Sequence, residues 1–139
     1  MSISLVFSLC LLYNVSYPEI VASQYALETG YGTSRVFKQH NNLFGFYYKG
    51  KYMDFKTKEH CILYYKDWQK RKLHKYRSQC NDGDYYQFLS WVGYAEDTLY
   101  IQKLKSIVAK NQKSLTEARD NFNHFVLCKT RKMLGYLRD

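Results

Sequence analysis

The chain has 139 residues, 46% of them hydrophobic and 18% aromatic, with a single proline and a formal net charge of +9. That length suits one domain with a real core, and the composition excludes a disordered chain. The charge favours polyanionic surroundings such as nucleic acid, a membrane surface or an anionic cell wall without choosing among them, while fifteen tyrosines offer rings with polar tips that suit stacking on sugars or bases.

The first segment, MSISLVFSLCLLYNVSYPE, has the apolar run of a signal peptide but neither its basic leading region nor a small-residue cleavage site, and it is too short to span a bilayer. It reads as a core helix, so that export would need another route. Ser16, Tyr17, Pro18 and Glu19 have the S-x-x-E form of a capping box with proline in the first turn, which predicts a helix start. Within that helix Val21, Gln24, Tyr25 and Glu28 share one face, and Gly30 supplies the stop. Glu28 therefore falls in the last turn of the inward stripe, a carboxyl set against two glycines and a tyrosine.

Thr33 or Ser34 is expected to cap a short helix carrying Val36 and Phe37 that ends at Asn41-Asn42. FGFYYKGKYMDF alternates about Lys49-Gly50 and predicts a short β-hairpin. Thr57 then caps a long basic helix to about Tyr76, Asn81 to Asp84 form a turn, and YYQFLSWVGY predicts a helix closing near Gly93. Asp97 or Thr98 starts the next helix, with Leu99, Ile101, Leu104, Ile107 and Val108 as its apolar positions. A second capping box, from Ser114 to Glu117, opens a last amphipathic helix with Phe122, Phe125, Val126 and Met133, which packs on the domain or on a partner.

The densest charge lies in KDWQKRKLHKYR, Lys66 to Arg77, where aromatic and basic residues alternate as they do in nucleic-acid binders; the simpler reading is a solvated helix face with Trp68, Leu73 and Tyr76 turned inward. Cys10, Cys61, Cys80 and Cys128 show no CxxC spacing and no metal-ligand cluster with the four histidines, so buried free thiols are the default and a disulfide between two of them stays open. With no phosphate-binding glycine loop and no HExxH, neither a nucleotide nor a metal cofactor is expected.

ALETGYG followed by TS, then NNLFGF, and much later GYAEDTLYIQKL, closely resemble the peptidoglycan-hydrolysing glucosaminidases of glycoside hydrolase family seventy-three, the group of bacterial autolysins and flagellar rod hydrolases. The likeness runs from about Leu5 to Val108, and three motifs in the right order make it specific. It implies a mainly helical, lysozyme-like domain, here over residues 1–109, with a small β-hairpin lobe and a groove between the two for a glycan strand; the pattern of residues 110–139 reads as a C-terminal helical extension. Glu28 matches the family's catalytic acid. The physics agrees, because breaking a glycosidic bond near neutral pH needs a proton donor to the leaving oxygen, and both a partly apolar wall and a helix C-terminus disfavour the anion.

Tyr94 resembles the tyrosine that the family places opposite its glutamate, where a phenol would orient water or the substrate's N-acetyl group, or stabilise the positive transition state. Asn42, Phe44 and Gly45 match the element at the floor of the groove; packing is the better reading for Leu43 and Phe44, while Asn42 is suited to bracing the Glu28 loop. Tyr31 stands where the family often has tryptophan, and both a place lining the sugar groove and a place in the core are open to it. Asp97 matches the aspartate of its segment, although helix capping explains it as well, and Tyr100, Ile101 and Leu104 read as core. Inverting glycosidases hold two carboxyls roughly 6.5–9.5 Å apart and retaining ones roughly 5–5.5 Å apart. Family members with a longer lobe put the second on the hairpin; here only Asp54 lies there, Glu59 being more simply a first-turn helix residue. Either Asp54 serves or the substrate's acetamido group assists.

Muramidases and lytic transglycosylases share the lysozyme-like superfamily and cut the other bond of the same polymer; the NNLFG and YAED elements favour the glucosaminidase, since fold kinship does not decide bond choice. The short hairpin favours a non-catalytic docking module of a virion or wall, and the intact ETGYG and GYAED segments oppose it. No nucleic-acid motif is present, so the expected partner is the peptidoglycan glycan strand. The absence of a clear signal peptide and of wall-binding repeats fits a bacteriophage lytic protein, or a bacterial enzyme that reaches the wall by other means.

Overall fold

The computed structural model describes residues 1–80 and 83–138, with side chains as far as Gly135. Among these residues the chain forms seven helices and one two-stranded hairpin, a mainly helical fold as expected. The apolar N-terminal run folds as α1 (Ile3–Leu12): Ser2 caps it by accepting from the Leu5 N–H at 3.1 Å, and Ile3, Val6, Phe7 and Cys10, spaced for one helical face, are buried. No helix is long and apolar enough to cross a membrane among the described residues.

Helix α2 (Pro18–Thr29) begins at the expected place by a different device. Its N-cap is Tyr17, in the left-handed region at φ 56° and stacked on the Tyr85 ring, and Ser16 caps nothing. The reason is tertiary: Gln69 holds the Ser16 backbone, accepting its N–H at 3.1 Å and donating to its carbonyl at 2.8 Å. Glu19, which a capping box would turn back on the chain, pairs instead with Arg119. Gly30 ends α2 in the left-handed conformation, as expected.

Ser34 caps α3 (Arg35–His40) at Phe37, and Asn41 closes it at φ 49°. Strands β1 (Tyr47–Tyr48) and β2 (Lys51–Tyr52) pair antiparallel, with Tyr47 opposite Tyr52. Lys49 and Gly50 both take positive φ between them, the two-residue turn whose twist matches a hairpin. Asn42 fastens the base of this lobe. Fully buried, its amide nitrogen donates to the Phe46 and Met53 carbonyls at 2.9 and 3.1 Å, and its oxygen accepts from the Phe46 N–H at 3.0 Å. Asn42 thus braces the hairpin, whereas the sequence suggested the Glu28 loop. Asn42→Ala should lower stability by about 1–3 kcal/mol, measured by urea denaturation, because the buried backbone groups lose their partner.

Helix α4 (Lys58–Gln79), capped by Thr57, crosses the domain with Leu73 and Tyr76 buried and Trp68 half-buried, while its charges face out. Asp84 forms the capping box of α5 (Tyr85–Val92), which Gly93 closes; Asn81 and Asp82 of the expected turn lie outside the described residues. Helix α6 (Tyr100–Lys110) starts later than expected. Asp97 makes the approach turn, its Oδ1 accepting from the Leu99 N–H at 2.9 Å, without capping the helix itself. Helix α7 (Gln112–Arg138) begins before the expected box at Ser114, because Asn111, at φ −104° and ψ 8°, is a near-helical joint that carries α6 almost directly into it. Its first turns pack on α1 with Leu115 buried, and Phe125, Val126 and Met133 farther along are exposed.

The core lies between α1, α2, α4, α5 and α6, where Phe7, Val21, Tyr25, Ile62, Tyr65, Phe88 and Leu104 are buried. Cys10 and Cys61 are buried free thiols, pushed up by desolvation to about 12, whereas Cys80 and Cys128 are free and only half-buried.

Candidate active site

The three motifs, far apart in sequence, converge on one carboxyl. Glu28 occupies the last turn of α2, on the same face as Gln24 one turn earlier, and the left-handed Gly30-Tyr31 pair turns the chain away just after it. The NNLFG glycine comes up against it. Gly45 sits at φ +72°, which disfavours side chains, and a Cβ there would stand 2.9 Å from Glu28 Oε2, so a larger residue would have to displace the carboxyl. The GYAED motif closes the third side: the Tyr94 hydroxyl donates to the Phe44 carbonyl at 2.7 Å, pinning the loop that carries Gly45. Gly45→Ala should displace the Glu28 carboxyl and lower turnover at least about tenfold, since small misplacements at a reacting centre are costly. A turnover assay beside a melting curve checks this.

A chain of buried polar groups reaches Glu28 from the far side of the core. Gln69 Nε2 donates to the Tyr85 hydroxyl at 3.0 Å, Tyr85 and Tyr65 share a hydrogen bond of 2.5 Å, the Tyr65 hydroxyl donates to Gln24 Oε1, and Gln24 Nε2 donates to the Tyr100 hydroxyl at 3.2 Å. With its oxygen accepting from Gln24, the Tyr100 hydroxyl keeps its own proton to give and lies close enough to Glu28 for each to shift the other's titration. Every donor can then point the same way, toward the carboxyl, and such aligned bonds polarise one another. Burial keeps these phenols neutral by pushing Tyr65, Tyr85 and Tyr100 above the ordinary tyrosine value. No buried side-chain nitrogen or oxygen lacks a partner among the described residues.

Burial also sets the character of Glu28. Desolvation raises its pKa above the ordinary carboxyl value, and the Tyr100 hydroxyl, by stabilising the anion, works against that rise. Tyr94 lies near enough for the Glu28 charge to push its phenol up further, after desolvation and Tyr100. The result is a carboxyl that keeps its proton to higher pH, beside a neutral phenol that favours the anion.

The other expected residues are placed as follows. Phe44 is buried, its ring against Tyr65 at 4.6 Å, and its backbone carbonyl is what Tyr94 holds. Tyr31 is exposed rather than in the core, with its hydroxyl accepting from Asn111 Nδ2 at 3.3 Å. Asp97 is exposed and bonded to Lys103 Nζ at 2.6 Å, which holds its carboxyl below the ordinary value. Asp54 lies just past β2, exposed and paired with His40. Glu59 is an exposed first-turn residue of α4. Open space adjoins the convergence on two sides: a cleft of about 300 Å³ lined by Gly45, Phe46, Tyr47, Trp68 and Tyr94, and another of about 240 Å³ lined by Ala95, Asp97 and Tyr100.

Gln24 and Tyr100 are buried neighbours of Glu28 that a reading of the sequence as core passes over. A glutamine on an inward stripe, one turn before an acid, was the available signal, because a buried amide must find partners.

The chain matches the model of the glucosaminidase family, described as mannosyl-glycoprotein endo-β-N-acetylglucosaminidase, over residues 8–113. No curated protein and no solved structure is matched. The matched span takes in all three motifs and every residue of the hydrogen-bonded chain from Gln69 to Tyr100, and on that footing the chain belongs to the glucosaminidase family, glycoside hydrolases that act on peptidoglycan.

Proposed function

We propose that the protein is an endo-β-N-acetylglucosaminidase that cuts the glycan strand of bacterial peptidoglycan, with Glu28 as its general acid. The single observation that carries this reading is a desolvated carboxyl at the meeting point of three family motifs, whose neighbours Gly45, Tyr94 and Tyr100 themselves line open clefts. The protonated Glu28 oxygen gives its proton to the glycosidic oxygen as the bond to the anomeric carbon breaks, and the Tyr100 hydroxyl stabilises the carboxylate left behind. The same carboxylate then takes a proton from the incoming water.

Tyr94 acts in two ways: its hydroxyl fixes Phe44, and its ring forms a wall of the larger cleft. Trp68, in edge contact with Tyr94 at 5.5 Å, and the exposed Tyr31 are the rings offered to sugar faces. Asp97 holds the turn that carries Tyr100, and Asn42 holds the lobe. Positive charge that develops at the anomeric carbon is met by the substrate's own acetamido oxygen or by Asp54, whose pairing with His40 would first have to open. Digesting peptidoglycan, reducing the products and weighing the new ends decides the bond. Reduced N-acetylglucosamine ends support the reading; reduced or anhydro N-acetylmuramic ends transfer the protein to the muramidase or transglycosylase branch.

A further inference from the structure

A concavity of about 850 Å³ lies away from Glu28, between α4 and the segment joining α1 to α2, and is lined by Asn14, Lys66, Lys70, Arg71, His74 and Arg77. Lys66, Lys70, His74 and Arg77 fall at i, i+4, i+8 and i+11, a basic stripe about 16 Å long on one face of α4. Trp68 and Lys72, which line the cleft beside Gly45, lie on a different face of the same helix. The domain thus uses α4 as a partition between two surfaces of different chemistry.

The stripe goes unrelieved within its own helix. Like charges four residues apart repel and weaken a helix, and helices usually relieve this with interleaved carboxylates. Here Asp67 is paired with Arg71 at 3.1 Å, and no ion pair engages Lys66, Lys70 or Arg77 among the described residues. The cations also stand around a hollow floored by the buried Leu73 and Gln69, and low-dielectric walls concentrate a positive field there. The lining contains no aromatic side chain, so the groove lacks the platforms on which single-stranded nucleic acids stack their bases.

We propose that this groove binds an anionic phosphodiester polymer without bases, of the poly(polyol phosphate) type, and so holds the enzyme on a wall that carries such chains. The choice of a wall polymer rests on the peptidoglycan-hydrolase reading; the affinity of the groove for phosphodiesters does not. The test is calorimetric titration of the full chain with lipid-free poly(glycerol phosphate), over a range of salt, in three forms. These are the wild type, a groove variant (Lys66→Gln, Lys70→Gln and Arg77→Gln) and a charge-matched control on α7 (Lys113→Gln, Lys129→Gln and Lys132→Gln), each checked for an unchanged melting curve.

For three phosphate contacts the logarithm of the wild-type binding constant should fall with the logarithm of salt at a slope of about −2. The groove variant should lose at least about tenfold in affinity with a flatter slope, and the control should stay within about twofold. Hydrolysis of short soluble glycan fragments should be the same in all three, which separates this proposal from the assignment of the active site. Absence of wild-type binding, equal losses in the two variants, or tighter binding of a single-stranded oligonucleotide of equal phosphate number would each overturn it.

Discussion

Glu28→Gln is expected to lower kcat on peptidoglycan by roughly 10²–10⁴-fold, the usual worth of a positioned general acid, and at the same time to raise the melting temperature at pH 7 by a few degrees. Both effects come from one cause. The folded protein holds Glu28 where desolvation favours the protonated form, so its folded pKa stands above the unfolded value. Below the unfolded pKa both states carry the proton and the site costs nothing. As pH rises past that value the unfolded chain gains by ionising while the folded chain resists, and the penalty grows until pH exceeds the folded pKa. Glutamine has no such penalty. The stability advantage of the variant should therefore be present at pH 7 and shrink toward pH 4, which a series of thermal melts reads directly. A surface glutamate in an ion pair would give the opposite sign, the variant being less stable at pH 7.

The largest loss of stability outside the apolar core should come from Gln24→Leu, about 2–6 kcal/mol by urea denaturation. The replacement is close in volume but strands the Tyr65 hydroxyl as an unpaired donor and removes the donor to Tyr100, two buried defects of about 1–3 kcal/mol each. Tyr100→Phe is the milder companion, since it removes the hydroxyl and keeps the ring. Its signature is in the pH profile. Without the donor that stabilises the Glu28 anion, the carboxyl pKa rises, so the alkaline limb of kcat/KM should move to higher pH as kcat falls. A purely structural role for Tyr100 would leave the limb where it was.

The local devices were legible because short-range chemistry fixes them. The Ser34 and Thr57 caps, the Gly30 and Gly93 stops and the Lys49-Gly50 turn stand where their residues indicate. The two S-x-x-E readings failed where distant partners intervened: Gln69, 53 positions along the chain, claims the backbone of Ser16, and Arg119 claims Glu19. At Ser114 the near-helical joint at Asn111 starts α7 earlier than its sequence signal.

In the site, Glu28 was found through its motif, and the physical reason for the motif's glycine became visible only once Gly45 was seen against the carboxyl. The relay through Gln69, Tyr85, Tyr65, Gln24 and Tyr100 was not legible. Its members come from α2, α4, α5 and α6, and nothing in their local sequence distinguishes a core tyrosine from one whose hydroxyl belongs to a directed chain. Asn42 shows the same limit, since its motif gave its position but only the fold gave its partners, Phe46 and Met53.

The central claim is that Glu28 donates a proton to the leaving oxygen, and the most direct measurement compares leaving groups. Wild type and Glu28→Gln would be assayed on a glycan substrate, whose departing alkoxide needs the proton, and on the matching nitrophenyl glycoside, whose departing phenolate does not. If Glu28 is the acid, the variant loses its roughly 10²–10⁴-fold on the glycan and most of that loss disappears on the nitrophenyl substrate. Equal losses on both, or no loss on either, would contradict it.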